Sequence, residues 1–150
     1  MSLNIEVLES SFSQVKKQEA EFTTHFYANL FGDYPEVKPL FVNTRMEEQA
    51  RKLFKSLVLI VESLRSPDVL TNTLKGLGTR HIQYGVLPKH YPMVGSTLLK
   101  TLSMCLGREW TTNTKQAWSE AYATVTQLML SGTEYPAEIL TSHTQNHYQR

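Results

Sequence analysis

Hydrophobic residues recur along this chain at steps of three and four, and each run stops at a turn signal. Ile5, Leu8, Phe12 and Val15 form the first run, which is one face of an amphipathic helix. Phe22, Phe26 and Leu30, with Tyr27 and Phe31 beside them, form a second that must end before Pro35. The segment GDYPEVKPLFVNTR, residues 32–45, carries two prolines that forbid a long helix there. From Met46 the pattern resumes through Leu53, Leu57, Val58, Val61 and Leu64, and the Ser66-Pro67 step breaks it. Val69, Leu70, Leu74 and Leu77 lead a shorter helix up to His81. Pro92 reads as the opening of a helix with Val94, Leu98, Leu99, Leu102 and Leu106 aligned, and Gly107 stands where a helix-ending glycine belongs. Trp118, Ala121, Tyr122, Val125 and Met129 mark the last long helix, closed at Gly132.

No segment alternates with period two, and there is no Asn-Gly or Asp-Gly pair to close a hairpin. The chain is expected to be all-α, with six or seven helices and no repeat. Residues 1–132 then form one domain, and 133–150, TEYPAEILTSHTQNHYQR, a polar C-terminal tail.

Composition narrows the function more than the fold. A chain of 150 residues, 41% hydrophobic and 19% charged, is an ordinary globular domain able to bury a core without disulfides. A net charge of +1, with no basic run longer than Lys16-Lys17, gives no reason to expect nucleic acid or an anionic membrane surface as partner. The longest apolar stretch, LVLIV at 57–61, is too short to cross a membrane. The N-terminus has two glutamates and no long apolar run, so it does not read as a secretory signal. The single cysteine, Cys105, excludes an internal disulfide and fits the reducing cytoplasm. It shares a helical face with Leu98 and Leu102 and reads as a small buried hydrophobe.

Five histidines remain to be placed. His81 ends an apolar helical pattern, whereas His90 stands between a proline-marked loop and a helix start and reads as a cap or loop residue. One well-placed imidazole in an all-α chain of this size suggests a helical pocket for a flat cofactor. His143 and His147 have the i, i+4 spacing that can clip a metal, but no third ligand accompanies them.

Four stretches in order narrow this further: FYANLFGDYPEVKPLF (26–41), QARKL (49–53), RHIQYGVLPKHYPMVG (80–95) and AWSEAY (117–122). Together they resemble the bacterial single-domain globins and the globin domain of flavohaemoglobins, from about Phe12 to about Met129. The resemblance implies a globin fold of six to eight helices around a haem b pocket. It makes His81, in H-x-x-x-G-V, the axial ligand of the haem iron. Phe41 is then the phenylalanine that stacks on the haem, with Leu53, Tyr91, Val94 and Leu98 further around it. Tyr27 and Gln49 match the family's distal pair, a phenol and an amide that can donate to polarised bound oxygen. No histidine lies between residues 26 and 80, so a distal histidine is not available. The family also places a glutamate behind the axial histidine, where a carboxylate would push electron density toward iron. Here Thr133 holds that position and Glu134 follows it, and one residue on a helix is about 100° of rotation. The peroxidase-like push is therefore not implied for this chain.

The expectation is a cytoplasmic haem protein, monomer or homodimer, that binds oxygen reversibly at ferrous iron for carriage or storage. Carbon monoxide and nitric oxide are further diatomic ligands of such a site. The alternative is a nitric oxide dioxygenase. That activity needs an electron after each turnover, and the chain has no G-x-G-x-x-G nucleotide fingerprint, so a separate reductase would supply it.

Overall fold

The structure, a computed structural model, describes residues 3–131. Among these it contains six α-helices, two 3-10 segments and no strand: α1 (Ile5–Lys16), α2 (Glu19–Asp33), a 3-10 segment (Pro35–Phe41), α3 (Met46–Glu62), α4 (Pro67–Gln83), α5 (His90–Leu106), a 3-10 turn (Gly107–Glu109) and α6 (Thr112–Ser131). The all-α expectation holds. The tail, with Thr133, Glu134, His143 and His147, lies outside the described residues.

Local chemistry explains the boundaries. Asn4 caps α1, its side-chain oxygen accepting from the Val7 N–H at 3.4 Å. Tyr34 ends α2 immediately before Pro35, and the prolines of the next segment leave it only a 3-10 run that closes with Phe41. Pro67 occupies the first turn of α4, where its missing N–H costs nothing. Thr111 caps α6 by accepting from the Thr114 N–H at 3.1 Å. One start differs from expectation. The fifth helix begins at His90, so Pro92 sits third in it, still within the turn whose N–H groups have no helical partner.

Two helix pairs dominate the packing, α4 with α6 and α2 with α5. At the first crossing a Cβ on Gly78 would overlap the Met129 carbonyl, so glycine lets the two backbones touch. α1 adds Leu8, Phe12 and Val15, all fully buried. Phe12 stacks on Phe54 at 5.5 Å, and Phe22 meets Phe54 edge-on at 5.8 Å. The Trp118 indole N–H donates to the Ser11 hydroxyl at 2.9 Å, so the one polar atom of that ring is satisfied inside the core. Cys105 packs against the core from α5 but is half-buried, less enclosed than its face suggested. No helix among the described residues is long and apolar enough to cross a membrane.

Candidate functional site

His81 lies in the last turn of α4, and the chain fixes it from both sides. Its Nδ1 lies 2.7 Å from the Leu77 carbonyl, one turn back. A carbonyl can only accept, so Nδ1 carries the proton and Nε2 keeps a lone pair. Beyond the helix end, Gly85 adopts φ 87°. Its N–H donates to the Ile82 carbonyl and the Val86 N–H donates to the His81 carbonyl, both at 2.9 Å. This is the paired closure of a Schellman motif, and it explains a glycine four residues after the histidine. Burial lowers the imidazole pKa, the Leu77 bond opposes this, and the Arg80 charge adds to the lowering. The ring is held neutral, the form in which a histidine binds metal.

Behind His81 stands Tyr91, buried on α5, with ring centroids 6.4 Å apart. Tyr122 of α6 donates from its hydroxyl to the Tyr91 carbonyl at 2.7 Å. A Cβ on Gly95 would approach the Tyr122 ring to 2.6 Å, so this glycine makes room for the ring that holds α5. Tyr122 and Gly95 were missed as individual site residues; periodicity marks Tyr122 as core and is silent on its hydroxyl. His90 behaves as a cap: its Nδ1 accepts from the Leu87 N–H at 2.9 Å and closes the turn before α5.

A second group gathers Tyr27, Gln49 and Phe41. The Gln49 amide donates to the Tyr27 hydroxyl oxygen at 3.2 Å. The Tyr27 ring meets Phe41 edge-on at 5.9 Å, and Phe31 touches both rings. Burial pushes the Tyr27 phenol up to about 12, against a smaller lowering by Gln49, so it stays protonated. Past the end of the His81 helix, a Cβ on Gly85 would lie 3.4 Å from the tip of Leu40, the neighbour of Phe41.

The fit of a flat apolar cofactor can be read on α3. This helix is strongly amphipathic, yet only Phe54 of it is fully buried. Ala50, Leu53, Leu57, Val58, Ile60 and Val61 are only half-buried, as are Phe41, Val86 and Val94, while Leu98 is buried. Apolar area left half-covered gains about 25 cal/mol for each Å² that a further apolar body removes from water. A planar macrocycle with a neutral imidazole beside it suits such a surface.

Comparison with known proteins gives the family and the fold. The globin family model matches residues 24–129. A flavohemoprotein of Burkholderia sp. is 31% identical over 111 residues, covering 72% of this chain and 28% of that protein. The chain thus spans under a third of that relative's length. A bacterial globin structure from Campylobacter jejuni is 27% identical with a TM-score of 0.73, covering 85% of this chain and 92% of that one. An engineered carbene transferase from Rhodothermus marinus, provisionally described as a nitric oxide dioxygenase, is 26% identical with a TM-score of 0.74, covering 96% and 93%.

Proposed function

This chain belongs to the globin family, and from that premise we propose that His81 holds its haem and that it binds molecular oxygen reversibly beneath Tyr27 and Gln49. Haem supplies an iron centre with one position for a small diatomic ligand. Every other part of the task falls to side chains. His81 presents Nε2, its orientation held by the Leu77 carbonyl and the Gly85 closure. Phe41, Leu53, Val94 and Leu98 give the ring an apolar wall and keep water from it. Tyr27 provides the proton that steadies a polarised ligand.

A single observation carries this reading. The Tyr27 oxygen accepts from Gln49, and among the described residues no acceptor takes the Tyr27 proton. A buried, protonated phenol whose lone pair is engaged and whose proton is not is a donor prepared for a ligand.

Nitric oxide dioxygenation is the second reading, favoured by the Rhodothermus marinus neighbour's description. It requires an electron at each turnover, which a separate reductase would deliver to this chain. One experiment addresses both. The haem-loaded protein is reduced without air, given oxygen, and then placed under vacuum. Carriage or storage predicts absorption spectra that cycle between two forms. One-way oxidation at first contact with oxygen would contradict it. Sustained nitric oxide consumption appearing only when a flavin reductase is added would favour the enzyme.

A further inference from the structure

On the seam between α2 and α5, Asn29 reaches two residues of the facing helix. Its amide nitrogen lies 3.1 Å from the Thr101 hydroxyl and 3.3 Å from the Met104 sulfur. Thr101 gives its own proton to the Thr97 carbonyl at 2.8 Å, so toward Asn29 it can only accept. That fixes the amide with its NH2 group toward α5, one hydrogen for the Thr101 oxygen and the other for the sulfur. One turn along the same seam, Lys100 and Asp33 pair at 2.9 Å and hold the two helices in register.

Met104 is 49% exposed, whereas Met46 and Met93 are half-buried and Met129 is buried. A thioether sulfur has two lone pairs, and it reacts with peroxides without first losing a proton. Asn29 engages one of these pairs and leaves the other for reagents arriving from solvent. The adjacent Cys105 is a poorer target. It is half-buried, and burial first and the Glu21 charge second push its thiol above the usual value. The thiol therefore keeps its proton, and the thiolate is the reactive form.

We propose that Met104 is a reversible oxidation site, attacked by hydrogen peroxide from the side opposite Asn29 and so converted to a single sulfoxide epimer. The free lone pair forms the S–O bond as the O–O bond of the peroxide breaks. Sulfur gives up two electrons, and the second oxygen leaves as hydroxide. The proton on the transferred oxygen passes to that hydroxide and makes water. A methionine sulfoxide reductase restores the thioether: two of its thiols become a disulfide and the oxygen leaves as water. Each such reductase accepts one epimer, so only one of the two classes serves this site. None of these steps needs His81 or the haem iron.

The test uses the full haem-loaded chain, reduced and saturated with carbon monoxide so that the iron is covered, and limiting hydrogen peroxide. After tryptic digestion the peptide spanning residues 101–108 should gain one oxygen before the peptides that carry Met46, Met93 and Met129. Fragmentation should place that oxygen on Met104. Epimers are fixed once formed, so the digest itself is then given each reductase separately. One should clear the peptide and the other should leave it oxidised, whereas the same peptide oxidised free in solution should need both. Asn29→Leu should keep the haem absorption spectrum, oxidise faster at Met104 and yield both epimers. Earlier oxidation of Met46 or Met93, oxygen on Cys105 instead, or an even mixture of epimers from the parent chain overturns the proposal. So does an Asn29→Leu chain that keeps the haem spectrum and the parent's epimer preference. If that variant does not fold, the parent's epimer ratio decides alone.

Discussion

Gln49 of α3 donates to the hydroxyl oxygen of Tyr27 on α2 across 3.2 Å, a polar contact beside the rings of Phe31 and Phe41. Its direction matters more than its strength. A phenol that accepts from the amide has its own proton left to give, and burial keeps that proton in place.

Removing the hydroxyl should therefore be felt by the ligand before it is felt by the fold. Tyr27→Phe keeps the ring, and a hydrogen bond to a charged acceptor contributes ~1.5–3 kcal/mol. Oxygen dissociation measured by stopped flow should rise roughly ten- to a hundredfold, since each ~1.4 kcal/mol is a factor of ten. Gln49→Leu should give a smaller rise, and the double variant less than the sum, because the two donors form one unit. Carbon monoxide, less polar when bound, should respond far less. An unchanged oxygen off-rate in Tyr27→Phe would leave the tyrosine a core residue only.

Burial of the same phenol has a consequence for stability at alkaline pH. Tyr27 rises from 10.0 to about 12 in the folded chain, mainly through desolvation. Tyr122 also lies above its ordinary value, burial being the larger cause. Above pH 10 the unfolded chain ionises these phenols while the folded chain does not, so unfolding releases protons. For Tyr27 the stability is fully present below pH 10 and falls between pH 10 and about 12, at roughly 1.4 kcal/mol per pH unit, and Tyr122 adds a fall in the same direction from pH 10 upward. Urea titrations of the haem-free chain across that window should show the fall, and Tyr27→Phe should make it shallower. Equal slopes in parent and variant would count against an enclosed Tyr27.

Gly85 should matter to the cofactor although it bears no side chain. Its φ of 87° suits glycine and strains any residue with a Cβ, by about 1–2 kcal/mol. Gly85→Ala should lower the melting temperature and speed haem loss to an apo-globin acceptor, because the His81 carbonyl loses its tether from Val86. Gly76→Ala, whose Cβ would meet nothing within 4 Å, is the control and should do neither. Haem loss as slow as the parent's in Gly85→Ala would detach the closure from the site.

The helices were legible because their causes are local. Runs at steps of three and four, stopped by Pro35, Pro67 and Gly107, need only the residues within a turn or two. The start of α5 at His90 was not, because proline is tolerated throughout the first helical turn and Pro92 therefore marks a range. The site was legible only through motifs held in order. Periodicity treats Tyr27 and Phe26 alike, and nothing local says that a phenol on α2 will meet an amide on α3. The Tyr122 bond to Tyr91 joins residues 31 apart, a distance over which spacing carries no information. Gly85 did leave a signal, a glycine just past a helix end, whose meaning appears only with its positive φ.

Replacing His81 by glycine and recording the haem spectrum tests the account most directly. His81→Gly should lose haem on gel filtration, or keep it only when free imidazole is added to fill the space, and should then recover the parent's ferrous absorption. The loss should also lower stability, because a ligand that binds only the folded chain adds RT ln(1 + [L]/Kd) to it. Normal haem retention and an unchanged ferrous spectrum in His81→Gly, without imidazole, would contradict the account and turn attention to His90.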